Sequence, residues 1–351
     1  MGILTTCIGA YPKPDYINIA NWSESESIAA GDRETRGFTY LSGEAVEVSA
    51  ELLDRATGEA VQDQVACGVD IPTDGEQRRE NYIHYHCRHM TGLDFDLMTS
   101  KIHRNGAAIA DLPTITGKIE PGGEHFLDQD YRIAQSFTDN PVKITVPGPV
   151  TIIDTTANTY YKSERELAFD LADALNVEIR ALAKAGCKHI QVDEPLFVRN
   201  VDHALDFGVE CLERCFDGVP NDVQRIMQMC CGYPGHLDDR DYLKADPWIY
   251  SLLAKALDES SITHVSIEDA HRQNDLDLLE RFLSTTIIFG SVAIATSTVE
   301  SVDEIAERLT DALDHIESER LVAAPDCGLM MLDRDLAMRK LNNLCEAAKQ
   351  I

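Results

Sequence analysis

Residues 163–195 read SERELAFDLADALNVEIRALAKAGCKHIQVDEP and contain the unit from which the fold is built. Ser163 followed by Glu166 is a capping-box pattern, which predicts a helix over Glu164–Ala185. The short apolar run His189–Val192 comes next and predicts a buried strand. A long helix joined to a short buried strand is typical of α/β folds with parallel sheets.

Eight short apolar or β-branched runs of this kind occur along the chain, and longer segments of helical periodicity follow them. The runs are Thr5–Gly9, Val69–Thr73, Val142–Val146, His189–Val192, Arg225–Cys230, His264–Ile267, Thr286–Ala293 and Leu321–Ala324. Near the carboxyl end, helices are predicted over Val302–Ile316, after Ser301, and over Asp333–Gln350. Eight strand–helix units close a (β/α)8 barrel, so the predicted fold class is α/β with one TIM-type barrel.

The predicted barrel takes in residues 1–351 as a single catalytic domain, because no linker-like stretch or repeat marks a second domain. Two connections exceed the usual loop length, one after the first strand and one after the second. We expect both excursions, residues 11–60 and 76–140, to extend over the barrel mouth.

The composition excludes several classes of function. The 351 residues include 31 Lys and Arg against 60 Asp and Glu, a net charge of −29. Such a charge repels phosphate backbones and anionic membranes, so we expect neither a nucleic-acid nor a membrane partner. No apolar run approaches the roughly 18–20 residues that span a bilayer, and no secretory pattern is visible, so a cytoplasmic location is expected. Ten cysteines without regular spacing indicate reduced thiols.

In a (β/α)8 barrel the chemistry lies where the strands end. Cys230, Glu268 and Cys327 end the fifth, sixth and eighth predicted strands, so they should converge on one side of the mouth. Thiolate and carboxylate ligands with one exchangeable position suit a catalytic zinc, although buried strand ends also hold cysteines as small apolar residues. Packing is the expected role of Cys7, Cys67, Cys87, Cys187, Cys211, Cys215 and Cys345.

Seven short motifs follow the predicted strands in sequence. They are Ile8-Gly9-x-Tyr11-Pro12, Gly75-Glu76-x-x-Arg79, Pro147-Gly148-Pro149-Val150-Thr151, Gln191-x-Asp193-Glu194-Pro195, Cys230-x-Gly232, Ser266-Ile267-Glu268 and Pro325-Asp326-Cys327-Gly328-Leu329. This ordered set resembles the catalytic, carboxyl-terminal barrel of the cobalamin-independent methionine synthase family, in its short core form, over nearly the whole chain. The resemblance implies a methyltransferase of methionine biosynthesis that transfers a methyl group to homocysteine.

By this resemblance, Cys230, Glu268 and Cys327 are the catalytic metal ligands and hold Zn²⁺, which also takes up the sulfur of homocysteine. Zinc lowers the pKa of a bound thiol, so the substrate would be a nucleophilic thiolate at neutral pH.

The resemblance also implies contacts to the amino-acid end of the substrate. The backbone of Ile8, Gly9 and Ala10 would receive its carboxylate, and Glu76 and Asp193 would bind its ammonium group. Opposite charges of this kind suit that substrate. The alternatives are a helix cap for Asp193 and a solvated loop charge for Glu76.

The resemblance fails at one metal ligand. The family's histidine aligns with Gln228, whose amide oxygen is a poor zinc ligand. We therefore expect a core of three protein ligands. Cys231, a water molecule or a histidine of the second excursion are the alternatives for the fourth position, and the candidate histidines are His84, His86 and His89.

The resemblance also fails on the side of the methyl donor. Ala295 aligns with the family's general-acid histidine, Thr155 lies near its pterin-packing tryptophan and Lys118 near its folate-side arginine. The amino-terminal barrel of long family members has no counterpart either. We therefore expect the donor to differ from polyglutamyl methyl-folate, with a corrinoid or other methyl-donor protein as partner. A zinc methyltransferase acting on another thiol and a non-catalytic metal-binding partner protein are the alternatives.

Overall fold

The computed structural model describes residues 2–17, 48–103, 108–239, 242, 244–246 and 248–351. Its strands are β1 Leu4–Thr5, β2 Met90–His103, β3 Ala108–Pro121, β4 Lys143–Pro147, β5 Ala157–Asn158, β6 His189–Asp193, β7 Gln224–Gln228, β8 His264–Ile267, β9 Thr286–Val292 and β10 Leu321–Pro325. Its helices are α1 Ala50–Ala66, α2 His84–Cys87, α3 Leu127–Gln135, α4 Pro149–Asp154, α5 Glu164–Ala185, α6 Val201–His203, α7 Val209–Cys215, α8 Trp248–Asp258, α9 Val302–Leu313 and α10 Arg334–Lys349.

A curled parallel sheet forms the centre of the molecule. Seven strands pair in the order β1-β10-β9-β8-β7-β6-β4. The predicted run Val69–Thr73 lies between the two edges of this sheet, where Ile71 pairs with Thr6 and Thr73 pairs with Lys143. These isolated bridges join β1 to β4 and complete a ring of eight segments, which confirms the predicted TIM-type barrel.

The second segment was predicted as a full strand, and the structure gives it only single bridges. Pro72 stands between the two bridging residues and has no N–H to donate to a neighbouring strand. Its carbonyl is still used, since the backbone N–H of Lys143 donates to it at 2.8 Å. The first strand is likewise shorter than the predicted Thr5–Gly9, because regular pairing ends at Thr5.

The helices begin at side chains that cap them. The Ser163 hydroxyl accepts from the backbone N–H of Glu166, and α5 has the predicted limits. Ser301 and Glu304 form a reciprocal capping box at the start of α9, which ends three residues before the predicted Ile316. Such caps stabilise a helix by about 1 kcal/mol each and fix where it leaves its strand.

The inside of the barrel holds a small apolar cluster of Ile8, Ile226, Ile288, Val322 and Ala324. These residues come from several different segments of the ring and contact one another, so they point inward. Because side chains alternate along a strand, the residue two positions beyond an inward one also points inward, toward the carboxyl ends. This alternation directs the polar strand-end residues into the mouth.

The second excursion has structure of its own. Residues 76–140 contain α2, the antiparallel hairpin β2–β3 and α3, and β3 also pairs with β5. The first excursion, 11–60, falls largely outside the described residues, and its last part belongs to α1. No helix in the described part of the chain is long and apolar enough to cross a membrane.

Candidate active site

A cleft of about 1200 Å³, counting space open to solvent, lies at the carboxyl ends of the strands. Most of the predicted site residues line it, and the second excursion contributes part of its wall. The predicted residues in the lining are Ile8, Gly9, Ala10, Glu76, Asp193, Cys230 and Cys327. Asn81, Tyr82, Ile83, His84 and Leu112 of the excursion also line the cleft.

Glu76 is held in a fixed position at the edge of the cleft. Its backbone adopts a left-handed φ of 54°, an uncommon conformation for a residue other than glycine. Lys13 Nζ donates to its carbonyl at 2.8 Å, and Thr145 Oγ1 donates to its carboxylate at 2.7 Å. Burial raises the pKa of Glu76, against the opposing charge of Arg79. With 8% exposure, Glu76 is not a solvated loop charge.

Asp193 is the second buried carboxylate of the cleft. Gln191 Nε2 donates to its Oδ1 at 2.7 Å and to the carbonyl of Ile8 at 2.8 Å, which links two sides of the barrel. Burial and the neighbouring Glu76 carboxylate raise the pKa of Asp193 well above its ordinary value. A cationic group between the two carboxylates would relieve this repulsion.

The next residue, Glu194, has a structural role. Its carboxylate accepts from the backbone N–H groups of Val150 and Thr151, both at 2.9 Å, at the start of α4. A Cβ at Gly148 would lie 2.2 Å from this carboxyl group. The Pro-Gly-Pro and Asp-Glu-Pro motifs are therefore linked because Glu194 anchors one to the other.

Two thiols, those of Cys230 and Cys327, also line the cleft. The interaction between the two neighbouring thiols lowers the pKa of Cys230 and raises that of Cys327. Gln228 Nε2 lies 3.8 Å from Cys327 Sγ and donates to it. Gln228 therefore directs an N–H group at the thiol pair, and an N–H cannot ligate a metal.

Glu268 lies behind the thiols and does not line the cleft. The backbone N–H of Cys231 donates to its Oε1 at 3.0 Å, and Lys244 Nζ donates to its Oε2 at 2.7 Å. Burial raises the pKa of Glu268. Among the described residues, the donor atoms of Cys230, Glu268 and Cys327 do not form a group within 4.8 Å of one another.

The structure does bring Glu268 within 4.8 Å of His271 and Asp326. His271 Nδ1 is 2.5 Å from Asp326 Oδ2, and its Nε2 accepts from the backbone N–H groups of Ile294 and Ala295. Both ring nitrogens are thus used, so this group is a hydrogen-bond network rather than a ready metal site.

Burial works to raise the pKa of Asp326, but the hydrogen bond from His271 and the backbone N–H groups outweigh it and hold the pKa low. Asp326 therefore ties the loop that follows β8 to the end of β10. The other cluster of possible metal ligands among the described residues, Asp277, Glu280 and His315, lies largely exposed on the surface.

Only one of the three candidate histidines lines the cleft. His84 Nε2 bonds the carbonyl of Thr155 at 3.0 Å. His86 is buried with Nδ1 2.9 Å from the Tyr82 carbonyl, and His89 stacks on Phe126 at 3.7 Å between ring centroids. His84 is therefore the histidine best placed to contact a bound molecule.

The residues aligned with the family's donor side lie in different surroundings. Thr155 lines the cleft, and its hydroxyl donates to the Thr151 carbonyl at 2.8 Å. Ala295 is buried behind His271, whereas Lys118 is an exposed residue of β3 that pairs with Glu120 at 3.6 Å. Of these three positions, Thr155 alone lines the cleft.

Several site residues were missed from the sequence. Arg79 is buried and donates to Thr145 at 2.7 Å, and its place in the Gly-Glu-x-x-Arg motif was a signal for it. No sequence motif pointed to three other residues, because their hydrogen-bond partners lie far away in sequence. These residues are Lys13, Lys244 and His271.

Comparisons with known proteins identify the family of the chain. A family model described as the catalytic domain of cobalamin-independent synthase matches residues 3–350. The chain belongs to the cobalamin-independent methionine synthase family. As a member it is an enzyme, a methyltransferase of the methionine synthase type.

Individual members of this family cover the chain almost completely. A methionine synthase of Saccharolobus solfataricus is 30% identical over 355 residues, 99% of this chain and 94% of the relative. The Thermococcus kodakarensis methionine synthase is 30% identical over 347 residues, 98% of this chain and 92% of its own. The B12-independent methionine synthase of Shewanella sp. W3-18-1, solved with selenomethionine, superposes with a TM-score of 0.84 and is 27% identical, covering 100% of this chain and 98% of its own.

Proposed function

We propose that this methionine synthase family member transfers a methyl group to the thiol of homocysteine, with zinc as its metal and a donor other than polyglutamyl methyl-folate. The observation that supports it best is that the carboxylates of Glu76 and Asp193 and the thiols of Cys230 and Cys327 line the same cleft. A small amino acid with a sulfur at its far end complements both groups.

The carboxylate pair would bind the ammonium group of the substrate. Each carboxylate is buried, and their mutual repulsion is relieved when a cation lies between them. The Shewanella relative was solved with selenomethionine, an analogue of methionine, which is consistent with an amino-acid site in this cleft. Asp193 and Glu76 then fix the amino end while the sulfur reaches the thiol pair.

Cys230, Cys327 and Glu268 would hold the zinc. The donor set fits this metal in its chemistry, because two neighbouring thiols and a buried carboxylate that accepts from the Cys231 N–H are ligand types that zinc prefers. A bound zinc would lower the pKa of the substrate thiol and keep it as a thiolate. Gln228 would leave the fourth position to the substrate, since its amide N–H faces the thiols.

Substitution of Asp193 tests which thiol is the substrate. We expect the wild type to bind homocysteine at least about tenfold more tightly than 4-mercaptobutyrate, which lacks only the amino group. In Asp193→Asn this preference should fall to about twofold or less. Calorimetric titration of both thiols into the zinc-loaded protein measures it. Equal affinity of the wild type for the two thiols would favour a different thiol substrate.

Gly9 provides a separate check on the position of Glu76. A Cβ at residue 9 would lie 2.6 Å from Glu76 Oε1, and overpacking of this kind typically costs about 1–3 kcal/mol. We expect Gly9→Ala to weaken homocysteine binding about tenfold or more, because Glu76 must shift. Gly123→Ala is the control, since its added Cβ meets nothing within 4 Å. Unchanged binding in Gly9→Ala would show that Glu76 does not contact the substrate.

A further inference from the structure

Lys244 donates a hydrogen bond to the carboxylate of Glu268, which is proposed as a zinc ligand. Its Nζ lies 2.7 Å from Glu268 Oε2, and only 14% of the Lys244 side chain is exposed. The other carboxylate oxygen accepts from the Cys231 N–H at 3.0 Å. Both oxygens of Glu268 therefore have hydrogen-bond donors, and among the described residues the carboxylate forms no group within 4.8 Å with the thiols of Cys230 and Cys327.

The surroundings explain why a cation lies there. Glu268 is buried next to the carboxylate of Asp326, so an uncompensated negative charge would be costly. Lys244 is positioned by its own neighbours: its Nζ lies 4.8 Å from the centre of the Tyr242 ring. The backbone N–H of Ala245 donates to the Cys231 carbonyl at 2.8 Å, which holds this segment against the end of β7.

We propose that Lys244 is an internal competitor of the metal for Glu268, and that it thereby sets the metal affinity of this site. The inference rests on the proposed function, in which Glu268 is a zinc ligand. An ammonium group and a metal ion at the same carboxylate repel each other, so the contact of Lys244 Nζ with Glu268 Oε2 opposes metal binding there. We therefore expect the metal to displace Lys244 from Glu268 as the carboxylate turns toward Cys230 and Cys327.

The proposal predicts that Lys244→Met raises the zinc affinity of the protein. Methionine keeps the apolar length of the side chain and removes the charge and the hydrogen bond. The zinc affinity of this variant should be about tenfold higher or more, because a charge-assisted hydrogen bond no longer has to be broken. Competition with a chromophoric zinc chelator measures the affinity. Lys255→Met is the matched control, since the Lys255 side chain is 84% exposed and its ion-pair partner among the described residues is Glu259, just beyond the end of α8.

The outcomes separate this inference from the proposed function. Tighter zinc binding in Lys244→Met supports competition. Unchanged or weaker binding, with normal binding by the wild type, overturns it, and weaker binding would mean that Lys244 supports the ligand in the metal-bound state. If the wild type binds no zinc, both the proposed metal site and the role of Lys244 as a competitor of the metal are refuted.

A second measurement uses the wild type alone, so it does not depend on the folding of a variant. An amine-reactive ester should modify Lys244 several-fold faster after zinc is added, because its Nζ is then released from Glu268. Mass spectrometry quantifies the modified peptide, with Lys255 as internal reference. Equal or slower modification of Lys244 in the zinc-loaded protein would contradict its release.

Discussion

Replacement of Cys327 by serine is expected to lower the zinc affinity by at least about a hundredfold and to abolish most methyl transfer. Residues that merely orient a metal ligand typically cost about 10–100-fold in affinity when removed, and loss of a ligand itself should cost at least as much. A serine hydroxyl is a weak zinc ligand, whereas a thiolate is a preferred one. Atomic emission spectrometry of the desalted protein gives the zinc content per chain, and chelator competition gives the affinity.

Cys231→Ser is the matched control for this experiment. Cys231 is adjacent to Cys230 and equally buried, but its thiol donates to the Tyr250 hydroxyl at 3.2 Å. A serine can make the same hydrogen bond, so we expect this variant to keep its zinc. Full zinc occupancy in both Cys230→Ser and Cys327→Ser would refute the metal site. Loss of zinc in Cys231→Ser would identify Cys231 as a ligand instead.

The sequence predicted the barrel because its signals are local. Ser163 caps α5 within one turn, and the apolar run after that helix forms β6 as expected. Side chains alternate along each strand, so the inward-facing positions run from buried apolar residues to the polar residues of the mouth. The prediction was wrong where one residue blocks pairing: Pro72 lacks the N–H that a regular second strand needs.

The contacts around Glu268 could not be predicted in the same way. Lys244 is 24 residues away, and His271 contacts Asp326 across 55 residues. Neither pair follows a period or a motif, since each depends on how two loops meet at the mouth. Sequence motifs therefore located the candidate ligand Glu268, but not the lysine that binds it in this structure.

The donor is expected to be something other than methyl-folate. In the wild type, methyl transfer from monoglutamyl methyl-folate to homocysteine should be about 10²–10⁴-fold slower than from methylcobalamin, because a departing pterin nitrogen needs a general acid. The methyl side chain of Ala295 cannot act as a general acid. His271 cannot replace the acid, since Nδ1 bonds Asp326 and Nε2 accepts from two backbone N–H groups. Single-turnover assays with each donor at saturating homocysteine compare the rates.

Introducing the family's histidine by Ala295→His should leave methyl-folate a poor donor. Ala295 is buried behind His271, so an imidazole there would first have to displace that ring, and misplacement of a catalytic group can itself cost about a hundredfold. Thr155, at the position near the family's tryptophan, offers only a hydroxyl that is already bonded to the Thr151 carbonyl. Asp193→Asn serves as the control on the acceptor side, and below saturation with homocysteine it should slow methyl transfer from every donor. Rapid turnover of the wild type with methyl-folate alone would refute the change of donor, and it would show that another group at the cleft, with His84 the first to test, supplies the proton.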